Sequence, residues 1–157
     1  MAESDKRGEI LRAARFLILK QGLRATTMEA IAAEARVAKP TLYKYYGDKS
    51  AVFEAIVTEL LVELHGRFMA ALAGEGPVAL RIAAALSAKY AALTEFMAGS
   101  AHAGELYDEH DRMSGPQVQV AEAEGDAAVV RELRAAGIGD AEALAEVVSG
   151  GAYGIFR

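Results

Sequence analysis

The chain has 157 residues, of which 53% are apolar and none is cysteine, and its formal net charge at pH 7 is −5. This length suits a globular protein with one substantial core, or with a small module beside a larger one, and the lack of cysteine excludes disulfides and thiolate metal sites. No apolar stretch approaches the about 20 residues of a membrane span and no secretory leader is evident, so we expect no membrane segment and a cytoplasmic location.

The charges are unevenly distributed along the chain. Residues 1–50 hold ten Lys or Arg against six Asp or Glu, a balance of +4, whereas residues 51–157 hold seven against sixteen, a balance of −9. The basic part can attract a polyanion that the acidic remainder repels. We therefore expect any nucleic acid to bind the N-terminal part in an oriented, salt-dependent manner.

The first predicted helix is an apolar stripe with interleaved basic residues. Gly22 suits the position just after its last turn, and residues 1–6 are polar and expected to fray. The stripe consists of Ile10, Leu11, Ala14, Phe16, Leu17, Ile18 and Leu19.

Residues 26–49 predict two further short helices joined by a tight turn. Thr26 is expected to cap the first, with Glu29 as the other half of a capping box. Pro40 suits the first turn of the second, where its missing N–H costs nothing. Leu42 anchors that helix inward, which leaves ammonium and hydroxyl groups on its surface. These belong to Lys39, Thr41, Tyr43, Lys44 and Tyr45.

Such a cluster of donors suits a phosphate backbone, with the exposed start of the second short helix entering the major groove. The alternative is that the tyrosines are ordinary packing aromatics and the lysines a solvated face. The pattern resembles the DNA-binding domain of the TetR family of bacterial transcription regulators. The matching residues are Thr26-Thr27, Ile31-Ala32, Ala35, Val37, Thr41 to Tyr46 and Asp48-Lys49.

The resemblance implies an all-α protein with a three-helix helix-turn-helix DNA-binding domain at residues 1–50 and a helical ligand-binding and dimerisation domain at residues 51–157. For the matched positions it implies phosphate contacts from Thr27, Tyr43, Tyr45 and Lys49. It further implies that Lys39, Pro40, Thr41 and Lys44 face bases or the groove wall.

Two residues depart from the family pattern. Arg36 stands in the turn where the family commonly has Gly, and a positive φ there would cost a residue with a side chain about 1 kcal/mol. Ala38 stands where the family often has a Ser or Thr cap, whose bond is worth about 1 kcal/mol. We expect neither change to remove a DNA contact.

Five more helices are predicted beyond residue 47. The fourth starts near Asp48 and ends at Gly74, and its apolar face comprises Val52, Phe53, Ile56, Leu60, Leu64 and Phe68. The fifth follows Pro77 and carries Leu80, Ile82, Leu86, Tyr90 and Leu93. The sixth covers residues 101–113, the seventh runs from Gly115-Pro116 to Ala136 with Gly137 as its C-cap, and the eighth follows Asp140.

The eighth helix carries small and apolar residues that suit helix packing between subunits, as the resemblance implies. The predicted dimer interface is Leu144, Val147, Val148, Gly151 and Phe156. The alternative is a frayed terminus weakened by glycines, each costing about 1 kcal/mol. Because the sequence stops at Arg157 without a helix-ending signal, we expect the last dimerising helix of the family to be missing.

Catalytic and metal-binding patterns are weak in this chain. His102 and Glu105 have i, i+3 spacing, but zinc sites need three or four defined ligands, so we interpret the acidic run from 102 to 111 as a solvated helix face. No converging nucleophile, base and oxyanion donor are recognisable. We predict no enzyme activity, no metal and no cofactor.

Scattered polar residues in the C-terminal part suit a mostly apolar ligand cavity, although a solidly packed core would look similar. The candidate ligand residues are His65, Tyr90, Glu95, His102 and Tyr107. The sequence thus favours a ligand-responsive homodimeric repressor that binds a palindromic operator in double-stranded DNA and responds to an unidentified small-molecule inducer. The alternative is a helical small-molecule binding protein without operator binding.

Overall fold

The computed structural model describes the backbone of residues 2–98 and 100–153, and the surroundings of the side chains of residues 6–98, 100–102 and 116–148. The described residues form seven helices and no strand, which confirms the all-α class. The helices are α1 (Ala2–Gln21), α2 (Met28–Glu34), α3 (Lys39–Tyr45), α4 (Lys49–Leu72), α5 (Val78–Met97), α6 (Ala103–Ala135) and α7 (Ala141–Tyr153). Within the described ranges, no helix is long and apolar enough to cross a membrane.

The chain forms two compact units. The first comprises the residues up to Leu60 together with Met97–Gly115, and the second comprises Leu61–Phe96 together with the residues from Pro116 onward. Helix α4 contributes residues to both units. The functional boundary predicted at residue 50 stays a prediction.

The first unit is built on side chains from α1 to α4. α1 contacts α2, and α2 contacts α3. Because α2 and α3 have only seven residues each, they are too short to be stable alone and depend on this packing. One large apolar side chain from each of the four helices is almost completely inaccessible: Ile10, Ile31, Leu42 and Val52. Burying each contributes about 1.5–3 kcal/mol.

The prediction that Thr26 caps α2 is wrong by one residue. The Thr27 hydroxyl oxygen accepts the bond from the Ala30 N–H at 3.1 Å, and Thr27 has the extended backbone of an N-cap. Thr26 is fully buried, and its hydroxyl donates to the Gly22 carbonyl at 2.8 Å. The capping-box spacing from Thr26 to Glu29 is therefore coincidental, because Thr26 is used to close the end of α1.

The turn between α2 and α3 has the hydrogen bonds of a Schellman motif. The Arg36 N–H donates to the Ala33 carbonyl at 3.1 Å, and the Val37 N–H donates to the Ala32 carbonyl at 3.0 Å. Arg36 adopts φ 54°, so this position has the left-handed backbone that the family resemblance implied. The same motif ends α6, where Gly137 with φ 74° has the equivalent role.

The start and the apolar face of α4 are as predicted. The Asp48 carboxylate accepts a hydrogen bond from the Ala51 N–H at 2.8 Å, which caps the helix. All six predicted apolar residues of α4 are buried: Val52, Phe53, Ile56, Leu60, Leu64 and Phe68.

The second unit has its own core, to which the last part of α4 and helices α5, α6 and α7 all contribute. The buried cluster consists of Phe68, Leu72, Ile82, Ala85, Ala128, Val129, Leu133, Ala141 and Ala145. A half-buried ion pair joins three of these helices. Arg81 Nη1 lies 2.7 Å from Glu132 Oε2 and donates to the Leu72 carbonyl at 3.0 Å.

Three local predictions fail. The predicted sixth and seventh helices are one continuous helix with Pro116 inside it, since good helix formers after it and burial of Leu133 outweigh the about 3 kcal/mol cost of proline. Two residues predicted to lie on apolar helix faces are exposed: Leu80 on α5 to 66% and Phe16 on α1 to 49%. The polar N-terminal segment, which was expected to fray, is helical from Ala2, so α1 extends beyond its apolar stripe.

Arg36→Gly should stabilise the protein by about 1 kcal/mol, because glycine adopts positive φ without the steric cost of a side chain. Gly137→Ala is the matched control at the other Schellman turn. No atom lies within 4 Å of an added Cβ there, so its backbone strain alone should destabilise by about 1 kcal/mol. Urea unfolding of both variants measures the change in the free energy of unfolding. Changes of the same sign in the two variants would contradict the assignment of the strain to positive φ.

Candidate nucleic-acid interface

The outward face of α3 is set by the inward anchor Leu42, which is completely buried. Positions 39, 40, 43 and 44 are related by i, i+4 spacing and are all exposed, so they form one continuous strip, in which Pro40 and Lys44 lie opposite Leu42. Thr41 and Tyr45 flank the strip and are half-buried. The structure thus brings together six predicted DNA contacts on one short helix: Lys39, Pro40, Thr41, Tyr43, Lys44 and Tyr45.

The start of α3 has no side-chain cap. Ala38 is the N-cap residue and makes no side-chain hydrogen bond, as the sequence predicted, and Pro40 lies in the first turn. Backbone N–H groups at an uncapped helix start carry a partial positive charge. In this turn Pro40 has no N–H, and the Thr41 N–H already donates to the Ala38 carbonyl at 2.9 Å, so few backbone donors remain for a phosphate or base acceptor.

Lys39 is already paired in the free protein. Its Nζ donates to Glu29 Oε1 on α2 at 3.2 Å, and both side chains are more than half exposed. A hydrogen bond at the backbone of Glu29, and secondly the bond from Lys39, lower the pKa of Glu29 from its usual 4.5. The carboxylate is therefore charged at neutral pH. Sequence spacing does not reveal this pair, because ten residues and a turn separate its members.

The hydroxyl of Thr27 can serve two partners. Its oxygen accepts from Ala30 N–H, which leaves its proton for an outside acceptor. Thr27 is exposed at the start of α2. Its predicted phosphate contact is compatible with its role as N-cap.

Lys49 has a structural role that sequence reasoning missed. Its Nζ donates to the Leu23 carbonyl at 2.8 Å and to the Arg24 carbonyl at 3.4 Å, so it ties the start of α4 to the loop between α1 and α2. Two of its three protons can be used in this way. Its contact with phosphate stays a prediction.

A second contact missed from sequence joins α1 to the end of α3. The Arg7 guanidinium lies over the ring of Tyr46, 5.6 Å from the ring centre, as in a cation–π interaction. Tyr46 is only 4% exposed, which shows that it is a packing aromatic. The alternative interpretation of the tyrosine cluster is thus right for Tyr46, whereas Tyr43 is 48% exposed.

The candidate ligand residues are divided between the two units. In the second unit, Tyr90 is half-buried, His65 Nε2 lies 4.0 Å from Glu124 Oε2, and exposed Glu95 accepts a hydrogen bond from Arg67 at 2.8 Å. His102 is in the first unit. Tyr107 lies outside the described side chains, so a site made by all five stays a prediction.

Glu122 is a polar residue of the second unit that the sequence did not single out. Burial raises the pKa of its carboxyl, Asp126 adds to this, and the Lys89 ammonium opposes it. Carboxyls shifted toward the neutral form are frequent in binding sites and in ordinary structural networks. The sequence did not indicate that Glu122 is partly buried, because it lies among other acidic residues.

No group of three or more potential metal ligands occurs among the residues that the structure describes. The acidic run around Glu105 and His110 lies outside the described side chains.

Helix α7 has a buried face and an exposed apolar face. Ala141 and Ala145 are each 2% exposed, and Val148 packs against the core. Leu144 is 42% exposed and Val147 is 70% exposed. The other predicted interface residues, Gly151 and Phe156, lie outside the described side chains.

Comparisons with known proteins agree with this geometry. Residues 10–56 match the model of "Bacterial regulatory proteins, tetR family". The HTH-type transcriptional regulator YhgD of Bacillus subtilis (strain 168), which is itself uncharacterised, is 38% identical over 60 residues. That match covers 38% of this chain and only 31% of YhgD.

Two solved structures share the fold over most of the chain. A transcriptional regulator of the TetR/AcrR family from Thermobifida fusca YX-ER1 has 27% identity and a TM-score of 0.71, covering 94% of this chain and 82% of that chain. Salmonella enterica GusR has 24% identity and a TM-score of 0.69, covering 99% of this chain and 83% of that chain. The helical domain after the helix-turn-helix is therefore shared as well.

Lys49→Met should lower the free energy of unfolding by about 1–3 kcal/mol, because it keeps the side-chain stem but leaves two loop carbonyls without their charged donor. Lys39→Met makes the same chemical change at an exposed pair and should cost less than about 1 kcal/mol. Urea unfolding distinguishes the two variants. Equal losses would show that Lys49 has no special structural role.

Proposed function

Because residues 10–56 make this chain a member of the tetR family of bacterial regulatory proteins, we propose that it is a transcriptional repressor that binds a palindromic operator as a homodimer and leaves it when a small molecule binds. The family match supports the coarser statement, that the chain is a DNA-binding regulator. Repression, dimerisation and an inducer are the finer parts of the proposal. We also propose that it has no catalytic activity.

The outward strip of α3 is the observation that carries the proposal. It presents Lys39, Tyr43 and Lys44 on one exposed face of a short helix whose opposite side is fixed in the core by Leu42. Protein surfaces can expose such groups without function, but these side chains lie within residues 10–56, which match the model of the tetR family of bacterial regulatory proteins. In this arrangement α3 would enter the major groove, with Thr27 and Tyr43 on the phosphates.

The charge distribution supports an oriented complex. The N-terminal 50 residues carry +4 and the remainder −9, so the DNA would meet the helix-turn-helix and be repelled elsewhere. Such binding depends on counterion release and weakens as salt increases.

The exposed apolar side chains of α7 support dimerisation. Leu144 and Val147 extend from a helix whose other face is buried in the second unit. Burying them against a second copy would remove apolar area from water. Two copies related by a two-fold axis would present two α3 helices to a palindromic site.

An inducer would bind the second unit, where half-buried polar groups such as Tyr90 and Glu122 accompany a helical apolar core. Helix α4 belongs to both units, so it provides a covalent route from this core to the helix-turn-helix. The mechanism requires only that the inducer bind more tightly to the conformation that cannot bind the operator. An inducer that binds tightly but leaves operator affinity unchanged would contradict it.

Selection of genomic fragments with the purified protein, followed by footprinting at two salt concentrations, tests the proposal. A protected palindrome whose half-sites are separated by about 10 base pairs, or by a multiple of that spacing, is expected. Its protection should weaken at higher salt. If a verified dimer enriches no sequence, the chain is instead a helical small-molecule binding protein without operator binding.

Tyr43→Phe should weaken binding to operator and to mixed-sequence DNA by a similar factor, about three- to tenfold, because it removes one phosphate contact but no base contact. Lys39→Ala should instead reduce the preference for the operator. Filter binding with both duplexes measures the ratio of operator affinity to mixed-sequence affinity for each variant. A Tyr43→Phe protein with changed preference would assign base reading to Tyr43.

Val147→Lys should weaken self-association at least tenfold, because it buries an unpaired charge in the proposed interface. Val62→Lys is the matched control, since Val62 on α4 is 69% exposed and Val147 is 70% exposed. Sedimentation equilibrium measures the dimer dissociation constant of each. Equal effects of the two substitutions would remove α7 from the interface.

A further inference from the structure

Glu29 is a carboxylate held within the surface that the DNA is proposed to occupy. Its Oε1 is 3.2 Å from Lys39 Nζ, and Lys39 is the first residue of α3. A negative charge beside a phosphate backbone is unfavourable. The position of Glu29 therefore costs binding free energy unless the carboxylate has a role on this surface.

Stability explains the position of Glu29 only in part. An acidic residue in the first turn of α2 interacts favourably with the helix dipole, whether or not Lys39 is nearby. The pair itself has side-chain exposures of 59% and 55%, and pairs so exposed change a folding equilibrium by less than about fivefold. The partner of Glu29 therefore matters little to the fold.

We propose that Glu29 determines DNA selectivity by holding Lys39 in an ion pair that operator bases displace and that isolated phosphates do not. This inference rests on the proposed function as a DNA-binding regulator. Glu29 acts here as a positioning residue, through Lys39, and makes no contact with DNA itself.

The magnitudes favour such a role. A well-oriented contact from Lys to the acceptors of a guanine discriminates against a wrong base by about 5- to 150-fold, which exceeds the strength of the exposed pair. A single phosphate contact is comparable in strength to the pair and gains little by displacing it. On mixed-sequence DNA the Lys39 charge thus stays neutralised by Glu29, and at the operator it is released to a base.

The salt dependence follows from the same argument. Each additional phosphate that is neutralised adds about 0.9 to the slope of log affinity against log salt. Lys39 paired with Glu29 would contribute little to that slope on mixed-sequence DNA. Because Glu29 is charged at neutral pH, this restraint is present throughout the physiological range.

Glu29→Gln tests the inference. On a mixed-sequence duplex it should raise affinity about threefold at about 50 mM salt and steepen the salt slope by about 0.9, because Lys39 becomes available to phosphate. Affinity for the operator obtained by genomic selection should change less than twofold. The ratio of operator to mixed-sequence affinity should therefore fall, and Glu29→Ala should reproduce this result.

Glu34→Gln is the matched control. It adds the same unit of charge on the same helix at an exposed residue without a described ion pair, and it should leave the ratio and the slope on mixed-sequence DNA unchanged. The role of Lys39 is tested by combining Glu29→Gln with Lys39→Ala. In the Lys39→Ala background, Glu29→Gln should have no effect on the slope.

Several outcomes would overturn the inference. If the Glu29→Gln protein has the DNA affinities of the wild type, or if it binds both duplexes more tightly by the same factor, the pair does not govern selectivity. If its effect persists without Lys39, Glu29 acts by general repulsion. In these three cases the wild type still binds its operator, so the proposed function stands, whereas a wild type that binds neither duplex overturns both.

Discussion

The burial of Leu42 is the contact on which the candidate DNA surface depends. Helix α3 has only seven residues and would not be stable in isolation, so its orientation comes from this anchor rather than from its own hydrogen bonds. Once Leu42 is inside, the helical repeat places Pro40 and Lys44 on the opposite side and Tyr43 beside them. The burial of one apolar residue thus orients the donors that α3 contributes to the proposed function.

Polar contacts at three places hold the elements around this anchor in register. Thr26 closes the end of α1, the two bonds across Arg36 define the turn, and Lys49 fastens the start of α4 to the preceding loop. Each satisfies backbone groups that would otherwise be left without partners at helix ends. A short helix-turn-helix can therefore be well defined although its apolar core is small. The strained Arg36 shows that this geometry is maintained even where the residue is unfavourable.

The same side chains that stabilise the free protein are candidates for contact with DNA. Lys39 is bound to Glu29, and Thr27 caps α2. Binding to a duplex would therefore exchange the partner of Lys39, whereas Thr27 can keep its cap and donate its remaining proton to a phosphate. In the second unit, Arg81 and Glu132 are already engaged with each other, which leaves half-buried groups such as Glu122 as the better candidates for a ligand.

The sequence by itself determined the helical class, the two short helices joined by a tight turn, and the buried face of α4. These follow from local spacing, capping and turn chemistry, which act over a few residues. It misplaced the cap of α2 because Thr26 and Thr27 are chemically equivalent, and only burial distinguishes them. It also divided α6 at Pro116, because the burial of Leu133, which helps to offset the cost of proline, is set by tertiary packing.

Only the tertiary structure decided which polar groups are paired. Lys39 with Glu29, Lys49 with Leu23, and Arg7 with Tyr46 are separated by ten or more residues, and no periodicity records such contacts. The exposed face of α7 was likewise settled by which of its residues the second core buries. Secondary structure depends on residues that are close along the chain, whereas the pairing of polar groups depends on how the helices pack.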